Sequence, residues 1–268
     1  MKGVGVEILS VENLRVHFDV RDKRGRKARL RAVDGVDFVI RRGETVGLVG
    51  ESGCGKTTVG NAVIGMAGRM TGDIKYEGED IDLLLRRNSR AFRRKIQMVF
   101  QDPFGSLNPR MTIGSAIGEA LKIHGIARSK EERLQCIADA LESVGLESEY
   151  ASRYPHEFSG GQRQRLGIAR ALALGPSLVI ADEPVSALDV SVQVQILNLM
   201  LELQKKMNLS YLFIAHVLAV VRYMCDTVHV MYLGRIVESG EAGDVFGSPA
   251  HPYTEALLSA VPDVEIGL

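Results

Sequence analysis

The run Gly50-Glu51-Ser52-Gly53-Cys54-Gly55-Lys56-Thr57-Thr58 limits what this chain can fold into more than any other stretch. It reads G-x-x-x-x-G-K-T. The apolar run Thr45 to Val49 precedes it and looks like a buried strand. Val59 to Ile64 follows and suits a helix start. Strand, loop and helix in that order are the context a phosphate-binding loop needs. Its glycines let the backbone wrap a polyphosphate, and successive N–H groups form an anion-binding nest at a helix N-terminus. Lys56 adds a point charge for the β- and γ-phosphates, and the Thr57 hydroxyl can ligate Mg²⁺.

Further strands follow from pattern. Glu7 to Phe18 alternates, and so do Val36, Phe38 and Ile40 around Asp37 and Val39. Arg21 to Arg31 holds seven basic residues and one acid around Gly25 and reads as a solvated hairpin loop. Thr71 to Gly78 is a short strand between turns. Arg86 to Lys95 is a solvated helix face. Ile96 to Phe100 is a strand that delivers Gln101 at its end, where α/β sheets place ligand-contacting residues. Asp102 to Pro109 is turn-rich loop. An early antiparallel pair followed by a parallel α/β core is the simplest architecture.

Helical composition runs from Ile113 to about Tyr150. Leu134, Ile137, Ala138, Leu141 and Val144 share one helical face, so this region reads as a helical insert. Ser159-Gly160-Gly161-Gln162 then opens a helix expected over Gln162 to Leu174, with Ser159 as N-cap. Taken alone, such an entry reads first as a plain capped helix start, with a second phosphate site as the alternative. Leu178 to Ala181 is a buried strand ending in Asp182 and Glu183. The first acid suits Mg²⁺ and the second suits a water-directing base. Val190 to Met207 is a helix, with Ile196, Leu197, Met200, Leu203 and Met207 on its apolar face. Tyr211 to Ala215 is a strand that ends in His216. Thr227 to Val237 forms two strands around Leu233-Gly234-Arg235, and Thr254 to Ala260 a short helix.

Bulk properties narrow the class. Lys plus Arg and Asp plus Glu both number 33, so the balance does not favour nucleic acid as partner. Cys54, Cys136 and Cys225 lack metal-site spacing and read as reduced thiols of a cytosolic protein. No apolar stretch has the length of a signal peptide or a membrane span. A GTPase is disfavoured, because no N-K-x-D base-reading motif is present.

Taken together, these motifs resemble the ATPase subunit of ATP-binding cassette (ABC) transporters. Gln101 sits in the Q-loop position. Phe158-Ser159-Gly160-Gly161-Gln162 is similar to the family signature LSGGQ. Leu178 to Glu183 matches Walker B with its catalytic glutamate, Ser186 to Asp189 the D-loop, and His216 the switch histidine. Phe18 matches the aromatic that stacks on adenine. Gln101 to Ile113, Asp182 to Gln193 and His251 to Pro262 look like oligopeptide/dipeptide importers, with nickel and glutathione importers close by.

The resemblance implies an α/β P-loop NTPase (RecA-like) core, an antiparallel β subdomain and an inserted α-helical subdomain. An ATPase domain would span 1–250, with core at about 1–100 and 155–245 and helical subdomain at about 105–155. Residues 251–268 would form an importer-type tail. ATP and Mg²⁺ are implied. Gly50, Ser52, Gly53, Gly55, Lys56, Thr57 and Thr58 would hold nucleotide. Ser159, Gly160, Gly161, Gln162 and Asp189 would contribute from a second subunit arranged head to tail. Thr57, Gln101 and Asp182 would serve the metal, and Glu183, His216 and Gln101 catalysis. Partners implied are a second ATPase subunit, identical or homologous, two membrane permeases and, indirectly, an extracellular solute-binding protein. The chain would then lie peripherally on the cytoplasmic face of the membrane. A cassette ATPase acting on nucleic acid or ribosomes is the competing class. Three departures from the family pattern stand out. Phe158 replaces Leu, and Val217 stands where Asp usually follows the switch histidine. No cysteine follows Cys225, so no iron–sulfur cluster is expected.

Overall fold

Val36, Phe38 and Ile40 are all buried, while Asp37 between them is exposed; the period-2 pattern is that of a strand with one face on a core. The computed structural model describes residues 5–21, 25–102, 105 and 107–259. It divides into two compact units, 1–87 with 210–268, and 88–209.

In the first unit, β1 (Glu7–Arg21) and β2 (Lys27–Arg41) form a long antiparallel hairpin. β4 (Arg69–Tyr76) and the two-residue β5 (Glu79–Asp80) extend it in the order β2-β1-β4-β5. The basic stretch is thus not mainly loop. Lys27 to Arg31 pairs with Arg21 to His17, residue against residue. This distal half of the hairpin is exposed on both faces, so charge on either side of the ladder costs nothing in burial. Residues 22–24 of that stretch lie outside the described residues.

β3 (Thr45–Val49) is buried throughout. It pairs in parallel with β8 (Ser210–Ala215) and β9 (Thr227–Tyr232), and β10 (Arg235–Glu241) returns antiparallel on β9. A strand flanked on both sides by parallel partners must be apolar on both faces, which is why Thr45 to Val49 shows no alternation. The helix after the loop, α1 (Lys56–Val63), begins three residues earlier than expected, at the lysine itself. α7 (Leu218–Met224), α8 (Ala242–Gly247) and α9 (Pro252–Ser259) complete this unit.

α2 (Ile81–Lys95) carries the chain from one unit into the other. Its helical dihedrals break at Asn88, whose side-chain oxygen accepts a 3.0 Å bond from the Ala91 amide and restarts the helix. The second unit holds the parallel pair β6 (Ile96–Val99) and β7 (Leu178–Asp182). It also holds α3 (Ile113–Ile123), α4 (Lys130–Ser143), two short 3₁₀ turns, α5 (Gly160–Leu172) and α6 (Val190–Met207). On α4, Ile137 and Leu141 are buried but Leu134 is 56% exposed. The apolar stripe is therefore shorter than its periodicity implied, with Leu134 left outside the packed face. Pro103, Phe104, Ser106 and residues 260–268 are outside the described residues.

Candidate functional site

The phosphate loop is built by what surrounds it. Gly50 has φ +150 and Gly55 φ +112. A Cβ on Gly50 would lie 2.1 Å from the Met231 carbonyl oxygen, and one on Gly55 2.2 Å from that of Ala32. Both positions require glycine sterically as well as conformationally. The Gly234 amide donates to the Cys54 carbonyl at 3.0 Å, tying the β9–β10 turn to the loop. Ser52, Gly53 and Thr57 remain exposed, so the loop rim is open. α1 starts at Lys56, so its N-terminus and the positive end of its dipole stand at the loop.

Lys56 is 4% exposed. Its Nζ donates to the Gly50 carbonyl at 2.7 Å and the Glu51 carbonyl at 2.8 Å. These contacts keep a buried ammonium hydrogen-bonded and aim it along the loop. Cys54 Sγ lies 3.8 Å from the same nitrogen. Burial nevertheless pushes the Cys54 thiol up, with Lys56 opposing it, which disfavours the reactive thiolate.

His216 directly follows β8 and is exposed. Ala215 pairs with Val49, so His216 and Gly50 leave their parallel strands at the same end. Val217 is the N-cap of α7 and makes no side-chain cap bond. An aspartate there could cap this seven-residue helix; valine cannot. Phe18 lies on β1 opposite Leu30, 37% exposed, with one ring edge toward Gly68.

In the second unit, Val99 pairs with Ala181, so Gln101 and the acids Asp182 and Glu183 leave β6 and β7 at their common carboxyl end. Asp182 is buried at 6% exposure, whereas Gln101 is exposed. Glu183 has φ +48, a left-handed backbone uncommon outside glycine and concentrated at functional sites. Its carbonyl accepts both the Ser186 amide at 3.2 Å and the Ser186 hydroxyl at 3.1 Å, which holds that geometry.

Ser159 caps α5 in a reciprocal box. Its hydroxyl accepts the Gln162 amide at 3.3 Å, and the Gln162 side chain accepts the Ser159 amide at 3.0 Å. Gly160 and Gly161 therefore belong to the helix rather than to a loop before it. A Cβ on Gly161 would meet Val192 at 2.5 Å, and one on Gly160 Leu188 at 3.4 Å, so the signature turn packs on the segment through Asp189. Ser159 and Asp189 are both exposed. Phe158 is buried at 3% exposure with its ring edge on Tyr150, where an aromatic in place of leucine fills core.

One contact was not anticipated from sequence. The Tyr253 hydroxyl accepts the Glu51 amide of the phosphate loop at 3.1 Å. The sequence marks only the start of α9, through Pro252 at its first position; nothing local ties Tyr253 to a loop 202 positions away.

Comparisons with known proteins agree with this geometry. The ABC transporter family profile matches residues 33–186, and that of the oligopeptide/dipeptide transporter C-terminal region matches 237–267. The oligopeptide transport ATP-binding protein OppF of Bacillus subtilis is 51% identical over 96% of this chain and 83% of its own length. A putative peptide import ATP-binding protein of Brucella ovis is 53% identical over 95% of this chain and 78% of its own. Among solved structures, CbiO1 of Clostridium perfringens, part of the ABC transporter complex CbiONQ, gives a TM-score of 0.75 at 28% identity, covering 90% of this chain and 91% of that one. The dimeric post-hydrolysis cassette MJ0796, bound to ADP and Pi, gives 0.75 at 25% identity, covering 87% and 98%. The P-loop NTPase fold, the ordered motifs and these matches lead to one conclusion: the chain belongs to the ABC transporter family, as an ATPase component.

Proposed function

We propose that the chain powers uptake of oligopeptides or dipeptides through partner permeases, lying peripherally at the cytoplasmic face of the membrane. The observation that carries the peptide assignment is the match of residues 237–267 to the peptide-transporter C-terminal region, beside relatives named for peptide import. Among the described residues no helix is long and apolar enough to cross a membrane, so any path for solute belongs to partners.

In this reading, Phe18 stacks on adenine. Gly50, Ser52, Gly53, Gly55, Lys56, Thr57 and Thr58 bind the phosphates through N–H groups and one ammonium. The exposed Thr57 hydroxyl, the Gln101 amide oxygen and the Asp182 carboxylate are hard oxygen donors that fit Mg²⁺. Bound Mg²⁺ would neutralise developing phosphate charge. Glu183 accepts a proton from the attacking water and His216 steadies the γ-phosphate; positioning and charge supply most of phosphoryl-transfer catalysis. Ser159, Gly160, Gly161, Gln162 and Asp189 complete the site on a second subunit's nucleotide. The dimeric state of the MJ0796 cassette supports pairing of two such subunits.

The test is reconstitution with its permeases and solute-binding protein in vesicles. Peptide should stimulate ATP hydrolysis and uptake, and Lys56→Ala should abolish both by removing nucleotide binding. Stimulation by nickel or glutathione alone would reassign the solute. Stimulation of the isolated chain by RNA or DNA would replace the transport reading.

A further inference from the structure

The carboxy-terminal segment reaches the phosphate loop along a fixed route. Glu238 on β10 accepts the Ala250 amide at 2.8 Å and the His251 amide at 3.0 Å. His251 Nδ1 accepts the Tyr253 amide at 3.1 Å, and Pro252 begins α9. The Tyr253 ring lies on that of Tyr232, the last residue of β9, with centroids 4.3 Å apart. β9 pairs with β3, the strand that feeds the loop, through Val49 and Val230. Three anchors therefore fix the Tyr253 side chain before its hydroxyl meets the Glu51 amide.

Glu51 is held from both sides. Its N–H goes to Tyr253 and its carbonyl to Lys56, at 3.1 and 2.8 Å. The same carbonyl also accepts the Cys54 amide at 3.3 Å. The N–H of Glu51 and the carbonyl of Gly50 lie in one peptide plane, and the Gly50 carbonyl is the other oxygen on which Lys56 rests, at 2.7 Å. A bond to that N–H therefore orients the Gly50 oxygen directly, while the Glu51 oxygen, in the next peptide plane, is held by Lys56 and the Cys54 amide.

We propose that Tyr253 is a positioning residue for the ATP site. It fixes the Gly50–Glu51 peptide and, through the Gly50 carbonyl, the place of the Lys56 ammonium. Nucleotide then meets a loop already ordered, and the entropy of setting the loop is not charged against binding. The proposal rests on the ATPase reading and deepens it by giving the carboxy-terminal region a part in nucleotide binding.

Tyr253→Phe removes the hydroxyl and keeps the ring on Tyr232, so the full chain should fold as before. In nucleotide-free protein, hydrogen exchange at the Glu51 amide should accelerate about ten-fold or more as its partner is lost. KM for ATP should rise about five-fold, the worth of one hydrogen bond, with kcat held within about two-fold. A merely structural role would leave that KM-against-kcat split unmoved. Unchanged exchange at Glu51 would overturn the contact. Faster exchange with unchanged KM would overturn its consequence for ATP. A wild-type chain that fails to bind ATP at all would instead overturn the functional reading, whatever the exchange shows.

Discussion

At the scale of single residues, the buried imidazole of His229 shows how much depends on register. It lies on β9 opposite Leu48 of β3, 8% exposed, with its ring on Phe38 and Nδ1 2.8 Å from the Ser239 hydroxyl. Nε2 is buried without a hydrogen-bond partner. Burial pushes its pKa down to about 4, below the value of about 6.5 expected in the unfolded chain. Between these values the unfolded state binds a proton that the native state refuses. Stability is thus complete above about pH 6.5 and declines as pH falls towards 4, by about 2 kcal/mol at pH 5 from this group. Thermal melts at about pH 7.5 and 5 should show a smaller loss for His229→Gln than for wild type; equal losses would contradict the buried neutral imidazole. Lys56, Asp182 and His216 were legible in sequence because a motif or a strand end marks each of them. Neither His229 nor Tyr253 was, since a partner as far off as Glu51, 202 positions from Tyr253, appears only once strands are paired.

At the scale of elements, local order was readable and neighbours were not. Strand, glycine loop and helix follow one another at Thr45 to Val63, and so do the strand ends at Gln101 and Asp182. What fits against them depends on strands distant in sequence. The Met231 carbonyl beside Gly50 comes from β9 and the Ala32 carbonyl beside Gly55 from β2. Similarly, the basic hairpin read as loop because its far half has no buried face to give it a pattern, and the hydrogen bonds that make it strand leave no trace in composition. A substitution at Gly50 probes this packing. Gly50→Ala sets a methyl 2.1 Å from a backbone oxygen at φ +150, so the loop or β9 must move. We expect a stability loss of at least about 2 kcal/mol by denaturant unfolding, and no measurable ATP binding by titration calorimetry. A variant with wild-type stability and affinity would show that β9 does not confine the loop.

At the scale of the whole molecule, on the proposed reading the nucleotide motifs do not all serve the chain that carries them. Ser159 and Asp189 are exposed on the second unit, and among the described residues the Ser159 hydroxyl serves as the cap of α5. A helix N-terminus that opens with exposed Ser159 and Gly160 has N–H groups and a dipole to offer an anion from elsewhere. MJ0796 is a dimeric cassette, and on the proposed reading the occupant here is a second subunit's ATP. Glu183→Gln tests this, since it keeps shape and hydrogen bonding while removing the base. With Mg²⁺ and ATP, hydrolysis should fall by about 100-fold or more, the range of lost general-base catalysis. Bound ATP should then hold subunits together, so light scattering behind a sizing column should report a dimer with ATP and a monomer with ADP. Adding Ser159→Arg to that variant places bulk and charge at the shared contact. It should abolish the dimer while leaving ATP bound to Lys56, at a cost of about 1 kcal/mol from the lost cap. If the Glu183→Gln chain stays monomeric with ATP while its hydrolysis is blocked, the two halves of the site do not meet across subunits of this chain alone. The test then passes to a mixture with a homologous partner ATPase. A dimer forming there, and failing when Ser159→Arg is present, would identify a heteromeric pair; monomers in both would overturn the shared site.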